Sequence, residues 1–302
     1  MKSPLVSIQI PTYNQKEYIK QALDSALAQT YDNLQIIVSD DCSTDYDIFE
    51  YLKDYLNHLK VQIFRHPNNL GRVANYRYCL YHLVKGEWFI NLDGDDYFIN
   101  TNFIQKAVDR IILVENVAVF QANSLIDKIS KNKMPAKMID NETYFMEGIH
   151  YLNYLNDGLG FNHGNIIFNT SLAKKYNFYN HDILDSDYLS FLKILNEGNI
   201  VFWRPKVYIW RHHNNQATHT LDFNKVKIKY EAYEEIFKIY KGRSVYSFVK
   251  NNISYNLFSQ LCQTLRQGHI GLEEILFLLS KLKLEKIYIK TIGYTIKKKI
   301  IK

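Results

Sequence analysis

Short apolar runs alternate with helical periodicities through the first two hundred residues of this chain. Leu5 to Ile10 is apolar, β-branched and stopped by Pro11, which predicts a first strand. Asn14 then reads as a helix N-cap, with Glu17 three residues on completing a capping box. Ile19, Ala22, Leu23, Ala26 and Leu27 recur at the spacing of one apolar helix face. Leu34 to Val38 predicts a second buried strand, ending in Ser39-Asp40-Asp41-Cys42-Ser43. Strand, helix, strand in that order implies a right-handed crossover and a parallel sheet.

The alternation continues. A helix is expected from about Asp47 to Leu59, with Phe49, Leu52 and Leu56 on one side, and a strand from Val61 to Arg65. His66 to Gly71 is rich in turn residues. A helix over 72–84 leads to an apolar strand, Trp88 to Leu92. Further on, Asn102 to Val114 reads as a helix and Val117 to Ala122 as a strand. Residues 127–143 are polar and Lys-rich, an exposed excursion, and Phe145 to Leu155 is expected to be helical. His163, before a short strand at Asn165 to Phe168, reads as a plain loop histidine, with an acceptor contact as the alternative. Leu184 to Asp187 opens a helix with Leu189, Leu192, Ile194 and Leu195 on its apolar face, and Asn199 to Trp203 is a further strand. Beyond residue 222 the character changes, and Tyr230 to Tyr240, Tyr246 to Gln267 and Leu272 to Ile289 all read as helices. The expected division is an α/β domain over 1–221 and a helical, basic region over 222–302.

Bulk properties exclude several classes. With 302 residues the chain can bury a full core. It has no run of about 18 apolar residues, so no membrane span is indicated. The N-terminus lacks the apolar core of a signal peptide, and three cysteines without metal-type spacing suit a reducing compartment. The expected location is therefore the cytoplasm, at the inner face of the membrane. That last element comes from the charge, which is +6 overall but concentrated, with eight Lys against one Glu in residues 281–302. Such a tail suits an anionic membrane surface, contact with a second copy of the chain, or equally the frayed Lys-rich end of a helical subdomain. It carries no recognition module for nucleic acid. Neither GxGxxG nor GxxxxGK[ST] follows the first strand, which disfavours dinucleotide and phosphate-loop enzymes.

The chemistry concentrates where the strand Trp88 to Leu92 meets Asp93, Asp95 and Asp96. Taken alone, this is a solvated Asp-Gly turn or a carboxylate cluster that needs a counter-charge. Three strands of the first ninety residues end in polar loops at one sheet edge, where open α/β sheets bind ligands. That convergence favours a nucleotide site whose phosphates are neutralised by a divalent cation.

The quoted segments also resemble a known family. Val6-Ser7-Ile8-Gln9-Ile10-Pro11-Thr12-Tyr13-Asn14, Ile36 to Asp45, Asn68-Asn69-Leu70-Gly71 and Gly86 to Asp96, in that order, resemble the family 2 glycosyltransferases of GT-A fold. The resemblance spans roughly residues 4–220. It implies a Rossmann-like, mostly parallel central sheet flanked by helices, and inverting sugar transfer from a nucleotide diphosphate donor assisted by Mn²⁺ or Mg²⁺. On that resemblance Pro11 and Tyr13 lie in the donor loop, with Tyr13 stacking on the base and Asp41 accepting its N–H. Asp95 and Asp96 match the DxD-type pair, Asp95 touching ribose or metal and Asp96 the metal. Arg211 would reach the phosphates and His213 the metal, within Trp210-Arg211-His212-His213. Arg72 and Asn75 are the polar candidates of helix 72–84. Asp187 matches the general base, although Ser186 replaces the usual Glu and Asp185 lies one residue further back. By position alone Asp187 also suits plain helix capping. Asp93 is a further acid beside the site.

The expected function is transfer from a UDP-sugar to a saccharide or lipid-linked acceptor in surface polysaccharide synthesis. The alternatives are a nucleotidyltransferase making a nucleotide sugar, and a non-catalytic scaffold of the same fold. The former would need a phosphate-gripping loop near the first strand, which the sequence lacks.

Overall fold

The computed structural model describes residues 3–123, 134–154, 161–213, 223–247 and 249–251. The chain divides into two units, Met1–Gln216 and Ala217–Lys302. The strands of the first unit are β1 (Val6–Thr12), β2 (Leu34–Asp40), β3 (Val61–Arg65), β4 (Trp88–Asn91), β5 (Tyr97–Phe98), β6 (Val117–Gln121), β7 (Lys137–Asp140), β8 (Thr143–Glu147), β9 (Ile166–Asn169), β10 (Asn199–Trp203) and β11 (Tyr208–Ile209). Its helices are α1 (Lys16–Leu27), α2 (Ile48–Tyr51), α3 (Arg72–Tyr78), α4 (Phe103–Ile111), α5 (Gly148–Tyr151), α6 (Thr170–Lys175) and α7 (Ser186–Ile194). In the second unit, α8 (Phe223–Tyr240) carries the expected helix at 230–240 and begins seven residues earlier. The expected helix at 272–289, most of that at 246–267 and the Lys-rich tail lie outside the described residues.

Among the described residues, nine strands form one sheet in the order β3-β2-β1-β4-β9-β6-β10-β8-β7. The β3, β2, β1 and β4 strands run parallel, and so do β6 and β10. Between them β9 lies antiparallel to both β4 and β6. Every residue of β1 and β4 is buried, as strands covered on both faces require. Ile8, Ile10, Ile36, Val38 and Ile90 meet Ile19, Ala22, Leu23 and Ala26 of α1 in one core. Each fully buried Ile or Leu there contributes roughly 1.5–3 kcal/mol of transfer free energy. The predicted face of α1 is therefore the face that packs.

Several expectations need correction, each for a physical reason. Pro11 does not stop β1, which runs on to Thr12. The Pro11 carbonyl accepts the Gly94 N–H on the β4 side, where β4 has already ended at Asn91. An absent N–H at Pro11 therefore costs no ladder bond. Asn14 does not cap α1. Gln15 holds the N-cap position and makes no side-chain cap bond, while Asn14 sits at φ +52° and bonds elsewhere. The expected helix 47–59 is two short pieces, α2 and a 3₁₀ turn at Lys53–Tyr55, with Asp47 capping α2 through the N–H groups of Phe49 and Glu50. Helix 72–84 is α-helical only to Tyr78, then continues as a π turn, Cys79–Leu83. Residues 145–147 belong to strand β8, which pairs antiparallel with β10, and helix begins only at Gly148. An apolar alternation that satisfies a strand partner overrides weak helical spacing.

Candidate active site

Strands β1, β2, β3 and β4 deliver four loops to one sheet edge. The β1 and β2 loops are tied together first. Asn14 Oδ1 accepts the Thr44 N–H at 2.8 Å, and the Asn14 N–H donates to Ser43 Oγ at 2.9 Å. Asparagine tolerates the left-handed backbone this bridge requires. Asp40 is fully buried and accepts the Ser43 N–H and hydroxyl, with Arg65 Nε at 3.5 Å. Burial still pushes its carboxyl above the ordinary value.

Asp41 is 2% exposed, and its two oxygens accept the N–H groups of Leu70 and Gly71 at 2.7 and 2.8 Å. Asn69 Nδ2 donates to the Asp41 carbonyl at 3.1 Å. Asp41 thus staples the β3 loop to the β2 loop. Each carboxylate oxygen retains a second acceptor position for a ligand N–H. Tyr13, in the loop after β1, is 44% exposed.

The turn after β4 carries the acids. Asp93 Oδ1 accepts from the Tyr76 hydroxyl at 2.7 Å and from Asn91 Nδ2 at 2.8 Å. Asp95 Oδ2 lies 2.7 Å from His213 Nε2, and Asp96 Oδ1 accepts the Arg211 N–H at 2.9 Å. The turn packs hard against β1. A Cβ at Gly94 would lie 2.5 Å from Gln15 Oε1 and 3.0 Å from the Pro11 carbonyl. Burial, then the charge of Asp93, raises the carboxyls of Asp95 and Asp96, and that of Asp96 is pushed up to about 8. By itself, then, the buried turn disfavours ionising both carboxylates together.

Arg211 and His213 lie more than a hundred residues away in sequence, and a small ribbon brings them in. Strand β5 leaves the acid turn and pairs antiparallel with β11, Ile209 opposite Tyr97. Arg211 Nε then donates to the Asp95 carbonyl at 2.7 Å, and a second guanidinium nitrogen donates to Gln21 Oε1 at 2.5 Å. Its guanidinium lies over Tyr18 at 4.7 Å and Tyr97 at 5.2 Å. His213 stacks on the same Tyr18 ring at 5.1 Å.

Asp187 sits in the first turn of α7. Its Oδ1 accepts the Tyr188 N–H at 2.8 Å, and its Oδ2 is 3.8 Å from His163 Nδ1. Its side chain is 19% exposed, enough to meet a ligand. Burial raises its carboxyl, while His163 and Arg72 pull it back down and Asp93 raises it again. Tyr76 links the two segments, bonding Asp93 at 2.7 Å and packing 5.6 Å from His163 beside Asp187, and the Asp93 charge adds to the burial that raises both Asp96 and Asp187. Asp185 holds the N-cap position of α7 without a side-chain cap bond. Arg72 ties α3 to this region by donating to the Leu184 carbonyl at 2.7 Å, its guanidinium 5.3 Å from the Tyr76 ring centroid.

Asn75 turns inward instead, holding Ser39 and His66. His163 is not a surface loop residue, since only 6% of it is exposed. Sequence reasoning missed Tyr76, Tyr18, Gln21 and Tyr179. Tyr76 falls one helical turn after Arg72, and Gln21 three residues after Tyr18. That spacing was the available signal for a polar helix stripe facing the site.

Two carboxylates and an imidazole at Asp95, Asp96 and His213 match the donor chemistry of a hard or borderline divalent cation, which would also relieve the charge that raises Asp96. Among the described residues no three His, Cys, Asp or Glu side chains already converge as a cage. Asp95 and His213 would have to part to admit one.

The family model described as Glycosyl transferase family 2 matches residues 7–176. The chain is 38% identical over 129 residues to the Escherichia coli UDP-Glc:alpha-D-GlcNAc-diphosphoundecaprenol beta-1,3-glucosyltransferase WfaP, covering 41% of this chain and 47% of that protein. It is 40% identical over 94 residues to a chondroitin synthase of Pasteurella multocida, 31% of this chain but 10% of that one. The matches therefore span less than half of these relatives. An uncharacterized glycosyltransferase of Rickettsia typhi is 30% identical over 236 residues, 76% of this chain and 70% of that one. Among solved structures, Staphylococcus aureus TarS in complex with UDP-GlcNAc superposes with a TM-score of 0.65 at 18% identity, covering 92% and 79% of the two chains. The Pyrobaculum calidifontis mannosyltransferase PcManGT, solved with GDP-Man and Mn²⁺, gives 0.58 at 15% identity, covering 98% and 85%. A parallel sheet edge ending in Asp41 and the Asp93–Asp96 turn, the GT-A architecture and the family match over more than half its length lead to one conclusion: the chain belongs to glycosyl transferase family 2.

Proposed function

We propose that this chain transfers a sugar from a UDP-sugar to a saccharide or lipid-linked acceptor, with inversion at the anomeric carbon, in the synthesis of a surface polysaccharide. The carrying observation is that Tyr76 bonds Asp93 of the acid turn at 2.7 Å and packs 5.6 Å from His163, whose Nδ1 lies 3.8 Å from the Asp187 carboxylate, while burial raises that carboxyl and suits it to take a proton. Neighbouring names support the donor and acceptor classes. WfaP is named for UDP-Glc and an undecaprenol-linked acceptor, and TarS was solved with UDP-GlcNAc.

In this reading Tyr13 stacks on the base, and Asp41 accepts a base N–H with its remaining acceptor positions. Pro11 and the loops stapled by Asn14 hold that pocket's shape. Arg72 and Arg211 offer positive charge to the diphosphate. Asp95, Asp96 and His213 hold Mn²⁺ or Mg²⁺. A divalent cation there would stabilise the negative charge that develops on the departing diphosphate. Asp187 removes the proton from the acceptor hydroxyl as its oxygen bonds to the anomeric carbon. The bond from that carbon to the diphosphate oxygen breaks on the opposite face, and its electron pair leaves with the diphosphate. Asp187 is taken as the base rather than Asp185 because its Oδ2 lies 3.8 Å from His163 Nδ1 and its carboxyl is raised by burial. Residues 281–302, with their lysines, would hold the enzyme against an anionic membrane face.

A thermal-shift panel of UDP, GDP, TDP and CDP, with and without Mn²⁺, tests the donor site. A ligand that binds only the folded state raises its melting temperature. Stabilisation by UDP with Mn²⁺, lost in Asp96→Ala, is expected. Full transfer activity in both Asp96→Ala and Asp187→Ala would overturn the mechanism.

A further inference from the structure

His163 is a buried histidine that the proposed mechanism leaves unused. It opens a 3₁₀ turn, His163–Asn165, that leads into β9. The turn is fixed on both sides. Asn165 exchanges two bonds with Ala122, each at 2.9 Å, and a Cβ at Gly164 would lie 2.6 Å from the Tyr208 ring. The imidazole is walled by Tyr76, Phe161, Phe168 and Tyr179, with ring centroids 5.6 to 6.5 Å away. It has little freedom to turn.

Its two nitrogens are treated differently. Nε2 lies 2.7 Å from the Tyr179 hydroxyl. Nδ1 is buried without a hydrogen-bond partner, and the Asp187 carboxylate lies 3.8 Å away. Buried polar groups are mostly paired, so an unpartnered ring nitrogen 3.8 Å from a carboxylate marks a contact to explain. Here the open nitrogen faces one carboxylate.

Tyr179 is held for this contact. It adopts φ +57°, which a bulky side chain seldom accepts, and its backbone N–H is pinned by Ser190 Oγ at 3.0 Å. Ser190 in turn donates to the Ser186 carbonyl in the first turn of α7. The helix that carries Asp187 therefore also carries the anchor of Tyr179. The buried Tyr179 phenol stays protonated and can donate to Nε2 or accept from it; donation is the pairing that avoids setting a bare Nδ1 lone pair against the Asp187 carboxylate. That leaves the single imidazole hydrogen on Nδ1, directed at Asp187.

We propose that His163, with its tautomer set by Tyr179, is a positioning residue that holds the Asp187 carboxylate toward the acceptor hydroxyl through an Nδ1–H contact. This rests on the reading of Asp187 as the general base. The contact closes when the ionised carboxylate turns the remaining distance, and it loosens once Asp187 has taken the acceptor's proton. Burial disfavours an imidazolium, so His163 orients the base without neutralising it. The charged and titratable groups around it include Asp187, Asp93, Arg72, Tyr76 and Tyr179.

The test uses the full chain labelled with ¹⁵N-histidine, and it needs no substrate. The His163 resonance, assigned by its loss in His163→Gln, is expected to show the neutral Nδ1–H tautomer. In Tyr179→Phe, which removes only the hydroxyl, that tautomer is expected to mix with the Nε2–H form. In transfer from UDP-N-acetylglucosamine, Tyr179→Phe is expected to lower kcat about tenfold, part of the roughly 10²–10⁴ that a positioned base supplies, with KM unchanged. An Nε2–H or doubly protonated His163 in the wild-type protein would overturn the inference. So would unchanged kcat in Tyr179→Phe and His163→Gln while Asp187→Ala is inactive, which leaves the general-base reading intact. Full activity in Asp187→Ala would instead remove that reading, and the inference with it.

Discussion

Tyr76 donates its hydroxyl hydrogen to Asp93 Oδ1 at 2.7 Å, joining α3 to the acid turn. The ring is buried, and burial together with the Asp93 charge pushes its phenol far up, so it remains a donor at every working pH. Burial raises the carboxyls of Asp96 and Asp187 and the Asp93 charge adds to it, so the Tyr76 bond helps fix where that charge sits. Tyr76→Phe keeps the packing and removes the donor. A buried hydrogen bond to a charged group is worth about 1.5–3 kcal/mol, and Asn91 still holds one bond to the same oxygen. We expect a loss at the low end of that range in urea unfolding, with weaker nucleotide binding by calorimetry. Wild-type stability in this variant would mean that Asn91 alone fixes the turn.

Asn14 combines a left-handed backbone with an acceptor for Thr44. Those two contributions separate by substitution. Asn14→Ala loses both and should cost about 1–3 kcal/mol, the sum of a lost bond and a strained φ. Asn14→Gly loses only the bond and should cost less. Denaturant midpoints of the two variants give the order. If Gly were as harmful as Ala, backbone conformation would contribute nothing here.

Asp96 gives a pH dependence with a definite sign. Its carboxyl titrates near 8 when folded, against an ordinary 3.8. Between those values the folded state holds more protons than the unfolded chain, so stability falls as pH rises. The contribution is complete below an ordinary carboxylate pKa of about 4 and is lost as pH passes through the folded value. Asp96→Asn mimics the neutral acid, so its stability advantage over wild type should widen on going from about pH 5 to about pH 9. Melting temperatures across that range decide it. Parallel curves for the two proteins would show that Asp96 is ionised at no cost.

His213 reaches Asp95 only because β11 pairs with β5. If His213 helps hold the metal, His213→Ala should weaken Mn²⁺ binding in the presence of UDP about tenfold or more, the scale seen when groups around a metal are removed. Titration of Mn²⁺ followed by the thermal shift of the UDP complex measures it. An unchanged titration would leave His213 a structural role through its contacts with Asp95 and Tyr18.

The sequence by itself determined the element types of the donor half. The periodicity of Ile19, Ala22, Leu23 and Ala26 and the apolar runs of β1, β2 and β4 are local signals, legible because strand and helix have different repeats. The acid turn was legible for the same reason, as an abrupt polar end to an apolar strand. Only the tertiary structure decided what surrounds those acids. Strand β9 enters antiparallel between β4 and β6, and this sheet order brings His163 to Asp187 and Tyr179. Tyr76 meets Asp93 seventeen residues on, and Arg211 meets Asp96 across 115. Such pairs are selected by packing and charge across the folded sheet edge. A one-dimensional pattern carries no record of which loops meet there. Asn14 makes the same point at short range. Its sequence context suits a cap, but a bond to Thr44 across the sheet edge competes with the cap and wins.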